Sequence, residues 1–165
     1  MNGSGGSPIV IVAMGGHAFM QKGETGTIEE HERNAVTIAE ILMTLIDAGH
    51  HLVITHGNGP QVGNLLLQNE QSRNDVPPMP LDVLVGMTEG SLGFILQQSL
   101  LNQLRKRDIR RYVVTVVTQV IVDESDPAFE RDRRRVEMFG PVAVEVVTIH
   151  HSAPVADLQR TFRTL

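Results

Sequence analysis

The hydrophobic residues of the chain alternate between short β-like runs and helical periodicities. Residues 8–14 form a nearly continuous β-branched run, which predicts a strand buried on both faces of a parallel sheet. Apolar residues then recur at helical spacing over residues 28–45, after a capping-box pattern at 27–30 and before Gly49, and predict a helix that covers the sheet. Residues 50–55 return as a second strand, so that strand, helix and strand make one crossover unit.

The same alternation continues towards the C-terminus. A helix is predicted from about residue 60 to 72, and a long helix over residues 81–106. Three glycines in the long helix indicate either close packing of another backbone or a break near residues 87–90, with a polar turn facing the ligand edge. Residues 112–122 predict a third strand, and residues 142–149 one more. The pattern predicts an α/β fold with a mainly parallel sheet and helices on both faces.

Two of these strands run directly into glycine-rich segments. Residues 15–17 (Gly-Gly-His) are called the first glycine loop, and residues 57–59 (Gly-Asn-Gly) the second glycine loop. Pro60 suits the first position of a helix, so the second loop leads into free backbone N–H groups at a positive helix end, which favour a phosphate or carboxylate. The spacing fits neither the mononucleotide nor the dinucleotide fingerprint. The alternative is a pair of ordinary tight turns, although two such loops at one sheet edge favour a ligand.

Composition narrows the choice of partners and compartment. The net charge of -5 and the pI near 5.8 give no electrostatic footprint for nucleic acid or an anionic membrane. No run is long enough for a membrane helix, and residues 1–7 lack the features of a signal peptide, so they are interpreted as a flexible leader. The chain has no cysteine, which suits a reducing compartment such as the cytoplasm.

Several charged and polar residues are weighed as candidates for chemistry. Lysine occurs only at positions 22 and 106; Lys22 is either a phosphate clamp or a solvated loop residue, and Lys106 is interpreted as a favourable charge at a helix C-terminus. The histidines lack the spacing of a zinc site, so no metal ligand is assigned. Asp123 and Asp126 are either magnesium ligands or turn residues, and the arginine-rich residues 131–135 are interpreted as a solvated face.

Five segments in a fixed order resemble the amino acid kinase superfamily, and most closely carbamate kinase. They lie between residue 8 and about residue 129. The segments are residues 13–18 (AMGGHA), 56–67 (HGNGPQVGNLLL), 79–82 (MPLD), 87–93 (MTEGSLG) and 117–123 (VTQVIVD).

The resemblance implies a three-layer αβα sandwich and phosphoryl transfer between ATP and carbamate, with Mg²⁺, or the reverse reaction that makes ATP in arginine catabolism. It implies that the N-terminal half holds the acyl phosphate and that the enzyme is a homodimer. It also implies a site lined by the two glycine loops, with positioned N–H donors instead of a covalent nucleophile. The residues assigned a catalytic role are Gly15, Gly16, Asn58 and Lys22, and those assigned to substrate binding are His17, Gly57 and Gly59.

The chain departs from the family pattern in three ways. His17 replaces the usual asparagine, which introduces a titratable ring. Residues 130–136 contain no lysine where the family has one, and the nucleotide half is absent. We therefore expect a leader (1–7), an N-terminal part of a carbamate kinase-like domain (8–129) and a divergent tail (130–165), as a truncation or a shifted reading frame would produce. The alternatives are another small-acid kinase of the superfamily, or a catalytically silent binding or dimerisation fragment.

Overall fold

A computed structural model of the chain describes residues 7–119 and, as a strand, residues 146–151. Residues 1–6 of the leader, most of the expected tail, Asp123, Asp126 and residues 131–135 lie outside the described residues. The elements follow in the order β1 (Ile9–Met14), α1 (Ile28–Asp47), β2 (His51–His56), α2 (Gly59–Ser72), α3 (Leu81–Lys106), β3 (Tyr112–Val116) and β4 (Val146–His151), with a short 3-10 helix at Gly16–Ala18.

The strands form one sheet in the order β1-β2-β4-β3. β1 pairs with β2 in parallel, with Ile9 opposite His51 and Met14 opposite His56. β4 lies antiparallel between β2 and β3, so β1, β2 and β3 all run in the same direction. The expected α/β fold is confirmed, and because three of the four described strands run in one direction, the carboxyl ends of β1, β2 and β3 lie at one edge of the sheet.

The core lies between the sheet and the two long helices. Buried residues of α1 and α3 pack against Leu52 and Ile54 of β2 and Val113 of β3. The expectation that β1 is buried on both faces is wrong for the described chain, because Ile9 and Ile11 are 67% and 71% exposed. Strand residues alternate between faces, and the helices of the described core cover only the face opposite these two isoleucines.

α3 is one continuous helix, so the expected break near residues 87–90 is wrong. The alternative explanation, close packing at a glycine, holds for Gly93. A β carbon at Gly93 would overlap the side chain of Thr115 in β3, whereas one at Gly86 or Gly90 would meet nothing within 4 Å. Gly93 therefore sets the distance at which α3 crosses the sheet.

Two other boundaries differ from the sequence prediction. β3 ends at Val116 instead of continuing to residue 122. In α1, Ile28 belongs to the apolar periodicity but is 52% exposed, because it occupies the first turn of the helix beyond the sheet-facing stripe. None of the helices in the described part of the chain is both long enough and apolar enough to cross a membrane.

Candidate anion site at the glycine loops

The two glycine loops meet at the carboxyl edge of the sheet. The register of β1 and β2 brings Met14 beside His56, and the next hydrogen bond runs from the Gly57 N–H to the Met14 carbonyl at 2.9 Å. A β carbon at Gly57 would lie 3.4 Å from the backbone nitrogen of Gly16, which is van der Waals contact. The sequence expectation that the loops share one edge of the sheet is borne out by this geometry.

Gln61 joins the first glycine loop to α2. Its buried side chain donates a hydrogen bond from Nε2 to the Gly16 carbonyl at 3.1 Å. The backbones approach so closely that a β carbon at Gly16 would lie 2.9 Å from Pro60 Cδ and 3.1 Å from the Gly59 nitrogen. Only glycine fits at position 16 without displacing the start of α2. Because the same test at Gly15 finds nothing within 4 Å, the two glycines differ in what they contribute.

The start of α2 leaves backbone donors without a partner. Asn58 is the N-cap residue but makes no side-chain capping bond, and the first turn contains no acidic residue. In the described part of the chain, no hydrogen bond uses the N–H of Gly59 or Gln61, nor that of Gly16 or His17 in the facing loop. The donors of Gly59 and Gln61 lie at the positive end of α2, and the backbone of Gly16 approaches the Gly59 nitrogen closely, so this edge of the sheet can bind an oxyanion.

Asn58 faces α3 instead of its own helix. Its Nδ2 donates to Thr88 Oγ1 at 2.8 Å and lies 3.5 Å from the Val85 carbonyl, and Thr88 Oγ1 itself donates to that carbonyl at 2.8 Å. Asn58 and Thr88 are both buried. The amide group of Asn58 therefore positions the second glycine loop, and its nitrogen is committed to α3.

His56 forms the buried base of the second loop. Its Nδ1 lies 3.4 Å from the Gly57 carbonyl, and its ring meets the Phe19 ring edge-on at 5.2 Å between centroids. Nε2 has no partner among the described residues. Burial lowers the pKa of His56, with a smaller opposing effect of the Gly57 carbonyl. His56 therefore supports the loop as a neutral ring, which agrees with a structural role for this residue.

Lys22 and His17 lie at the surface. Lys22 occupies an exposed turn beside Gly23, whose φ of +94° requires glycine. In the segments that the structure describes, no hydrogen bond or ion pair joins Lys22 to another residue, so its ammonium group is free for an anion. His17 is exposed in the short helix that follows Gly15. The structure brings Gly16, Gly57 and Gly59 together and leaves Lys22 without a contact to them.

The sequence assigned no role to Gln61, and it placed Thr88 and Glu89 in a possible polar turn at the ligand edge without identifying a partner for either. Gln61 holds the first loop, and Thr88 and Glu89 of α3 contact the segments after β2 and β3. The signal for Gln61 was its place in the first turn of a helix that starts at glycine and proline, where a long amide reaches back over the loop. The signal for Thr88 and Glu89 was two adjacent polar residues in an apolar helix.

A metal centre is not assembled by the described residues. Among the side chains that the structure describes, no three His, Asp or Glu side chains converge so that they could hold an ion. Mg²⁺ commonly takes only one or two carboxylates together with substrate phosphates, so this observation concerns a metal cage of protein ligands only. The chemistry that the described site offers is anion binding by backbone N–H groups.

The fold and the site together define a class. An α/β sheet with two touching glycine loops at its carboxyl edge and an uncapped helix start describes the class of α/β proteins that present backbone N–H groups to an anion at that edge. Solved structures agree with this class. The carbamate kinase of Giardia lamblia bound to AMP-PNP superposes with a TM-score of 0.70 and 33% identity, over 75% of this chain and 44% of that chain.

The sequence comparisons identify carbamate kinases in particular. The chain is 45% identical over 132 residues to carbamate kinase of Pyrococcus horikoshii, covering 79% of this chain and 42% of that protein. It is 40% identical over 131 residues to carbamate kinase 1 of Enterococcus faecium, with the same coverage. No family model matches the chain. The chain is thus homologous to carbamate kinases over about four fifths of its residues and spans about two fifths of their length.

Proposed function

We propose that the chain carries the acyl phosphate site of a carbamate kinase-like phosphotransferase, which moves a phosphoryl group between ATP and carbamate. One observation carries the proposal: the N–H groups of Gly59 and Gln61, unpartnered among the described residues, start a helix at the point where the backbone of Gly16 approaches the Gly59 nitrogen most closely. The homology to carbamate kinases supplies the reaction. Because the chain spans about two fifths of those proteins, the activity of the whole enzyme is part of the proposal.

In the forward reaction, a carbamate oxygen forms a bond to the γ-phosphorus while the bond between that phosphorus and the bridging oxygen of ADP breaks. Negative charge on the transferring group is shared among its oxygens, so fixed N–H donors stabilise it without a covalent step. Gly16, Gly59 and Gln61 would provide those donors, and Asn58 would hold the second loop against α3. Lys22, exposed and unpaired among the described residues, is proposed to add a positive charge.

ATP and ADP are proposed as substrates, with Mg²⁺ as the ion that accompanies them. Mg²⁺ supplies charge neutralisation at the nucleotide phosphates when bound. The described residues offer no cluster to which its ligands can be assigned, so every role above belongs to the chain's own donors. We also propose residues 8–129 as the kinase-like part, residues 130–165 as a divergent tail, a homodimer as the working state, and the cytoplasm as the compartment, which the cysteine-free composition supports.

The first test is ATP formation from carbamoyl phosphate, ADP and Mg²⁺ by the purified chain, corrected for spontaneous decay of the substrate. We expect turnover in the wild type and a strong loss in Asn58→Ala. Identification of the product with several small acids separates carbamate from another acceptor. A folded sample that neither turns over nor shifts the amide resonances of Gly16, Gly59 and Gln61 on addition of phosphate contradicts the proposal.

A second candidate is a binding module without catalysis, because the backbone donors of the described site can hold an anion without transferring a group. In that case phosphate shifts the same amide resonances while ATP formation stays at the rate of the uncatalysed control. The two candidates share the anion site and differ in turnover alone. Amide spectroscopy and the ATP assay on one preparation therefore distinguish them.

A further inference from the structure

Two adjacent residues of α3 contact the chain just beyond two different strands. Thr88 accepts a hydrogen bond from Asn58, which lies two residues after β2. Glu89 Oε2 accepts one from the backbone N–H of Thr118 at 3.0 Å, and Thr118 lies two residues after β3. Because β2 and β3 run in the same direction, both contacts lie at the carboxyl edge of the sheet. One turn of α3 therefore joins the second glycine loop to the segment that follows β3.

Glu89 is buried at a position where a carboxyl group lowers the stability of the fold. Its side chain is 1% exposed, and none of the ion pairs among the described residues involves it. Burial raises the pKa of the Glu89 carboxyl, and the Thr118 N–H opposes that shift. A buried carboxyl group costs free energy that a leucine of similar size would not. Unlike leucine, the carboxyl group accepts a hydrogen bond from the backbone N–H of Thr118.

We propose that Glu89 is a positioning residue of the anion site, which fixes the segment at Thr118 relative to the second glycine loop through the Thr88–Asn58 contact. The expected effect of Glu89 on anion affinity rests on the proposed function. The contact between Glu89 and the Thr118 segment does not depend on that function. If the segment at Thr118 shifts, the turn of α3 that carries Thr88 and Glu89 shifts with it. Asn58, which is hydrogen-bonded to Thr88, then moves as well, and the donors at the start of α2 lose their alignment.

The structural step is tested by amide hydrogen exchange and NMR of the full chain with Glu89→Leu and Glu89→Gln. In Glu89→Leu, we expect the Thr118 amide to exchange about tenfold faster or more, because a charge-assisted hydrogen bond is lost. Glu89→Gln keeps an acceptor oxygen, so a smaller increase is expected. If Glu89→Leu does not fold, Glu89→Gln alone decides: an unchanged Thr118 resonance and exchange rate overturn the proposal, and an upfield shift with faster exchange supports it.

The functional step uses inorganic phosphate as the probe and the amide resonances of Gly16 and Gly59 as the readout. We expect phosphate to bind several-fold more weakly in Glu89→Leu and near wild-type strength in Glu89→Gln. The matched control is Gln103→Leu, which removes another buried polar group of α3, bonded to Glu40 and Arg107 far from the loops. An equal loss in Gln103→Leu, or unchanged affinity in Glu89→Leu, overturns the proposal.

Failure of the proposed function gives a different result. If phosphate shifts none of the glycine amides in the wild type, the acyl phosphate site is refuted, while the response of Thr118 to Glu89→Gln still reports on the contact itself. If the wild type binds phosphate and neither substitution changes the resonance or exchange rate of the Thr118 amide, the anion site is supported and the positioning role of Glu89 is refuted.

Discussion

The first turns of α1 and α2 differ in whether the chain supplies acceptors for their backbone N–H groups. Each helix begins with backbone N–H groups that its own carbonyls cannot reach. At α1 the chain supplies the acceptors: Thr27 Oγ1 accepts from the Glu30 N–H, and Glu30 Oε2 accepts from the N–H groups of residues 25, 26 and 27 at 3.1, 2.7 and 2.9 Å. At α2 the capping residue Asn58 turns its side chain to α3, and no acidic residue follows in the first turn.

The contrast separates a helix end made for stability from one available to a ligand. Asn58 is among the best capping residues, yet it does not cap. Its hydrogen bond to Thr88 holds the loop while the donors of Gly59 and Gln61 stay open. A carboxylate placed at α2 as Glu30 is placed at α1 would occupy the donors at which the proposed anion would bind. A substitution at the start of α1 should therefore lower stability alone. A substitution at the start of α2 should lower both stability and anion affinity.

The largest effect is expected at Gly16. A β carbon there would press on Pro60 and on the Gly59 backbone, so Gly16→Ala should separate the first glycine loop from α2. We expect a loss of about 1–3 kcal/mol in the free energy of unfolding. Phosphate affinity should fall by about tenfold or more, since one misplaced donor costs roughly that much. Urea denaturation and phosphate titration measure the two quantities.

Gly15→Ala is the matched control for this substitution. A β carbon at position 15 would meet nothing within 4 Å, and the φ of -76° there is one that alanine adopts readily. The expected change in stability is within about 0.5 kcal/mol. Equal effects of alanine at positions 15 and 16 would show that the close contact between the loops is not what makes the site.

Asn58→Ala should give the second largest effect. It removes the buried bond to Thr88, for which we expect a loss of about 1–2 kcal/mol, together with weaker phosphate binding. Asn58→Asp offers a sharper comparison, because an acceptor at the N-cap can turn back to cap α2 and compete with the ligand. If Asn58→Asp binds phosphate as well as the wild type, then the turned-away cap is not what keeps the donors open.

Much of the fold follows from local sequence signals. Periodicity located α1, α2 and α3 within a residue or two, because each carries an apolar stripe and clear start or stop residues such as Thr27 and Gly49. The continuity of α3 was not predictable, since glycine propensity describes an isolated helix and Gly93 is retained for its contact with Thr115. The exposed face of β1 was also missed, because a β-branched run predicts a strand but does not show whether another element covers each of its faces.

The site was predictable only in part. Strand-to-glycine transitions located both loops at one sheet edge, because parallel strands share their carboxyl edge. The direction of side chains does not follow from the sequence. Asn58 was expected to line the ligand site, and the structure commits its amide nitrogen to α3. Gln61 and Glu89 act across 45 and 29 residues of sequence, on Gly16 and Thr118, so a local pattern can mark each as an unusual polar position but does not identify its partner.

Thr27→Ala tests the capped end of the comparison. The substitution removes the side-chain acceptor of the Glu30 N–H at the start of α1, and a loss of about 1 kcal/mol is expected. Phosphate affinity should not change, because α1 does not provide donors to the site. Urea denaturation and phosphate titration of the same sample decide the matter. A drop in phosphate affinity beyond twofold would mean that the two helix starts are not independent.

The two helix starts should also respond to acid in different pH ranges. At α1, the hydrogen bond from the Thr27 N–H, with those from Gly26 and Thr25, lowers the pKa of Glu30 below its ordinary 4.5. The stability that Glu30 contributes is therefore complete above pH 4.5 and is lost as the pH falls through the folded pKa. At the base of the second loop, burial lowers the pKa of His56 below its ordinary 6.5. Its neutral form is the folded one, so stability begins to fall already below pH 6.5.

Urea denaturation at pH 7.5, 5.5 and 4 separates these contributions, which we expect to be the smallest of the series. His56→Phe keeps a ring against Phe19 and should flatten the decline between pH 7.5 and 5.5, although His31, whose pKa burial also lowers, retains part of it. Glu30→Gln should leave that range unchanged and flatten the decline below pH 4.5. If His56→Phe changes only the range below pH 4.5, then His56 is not buried as a neutral ring, and the second loop has a different support.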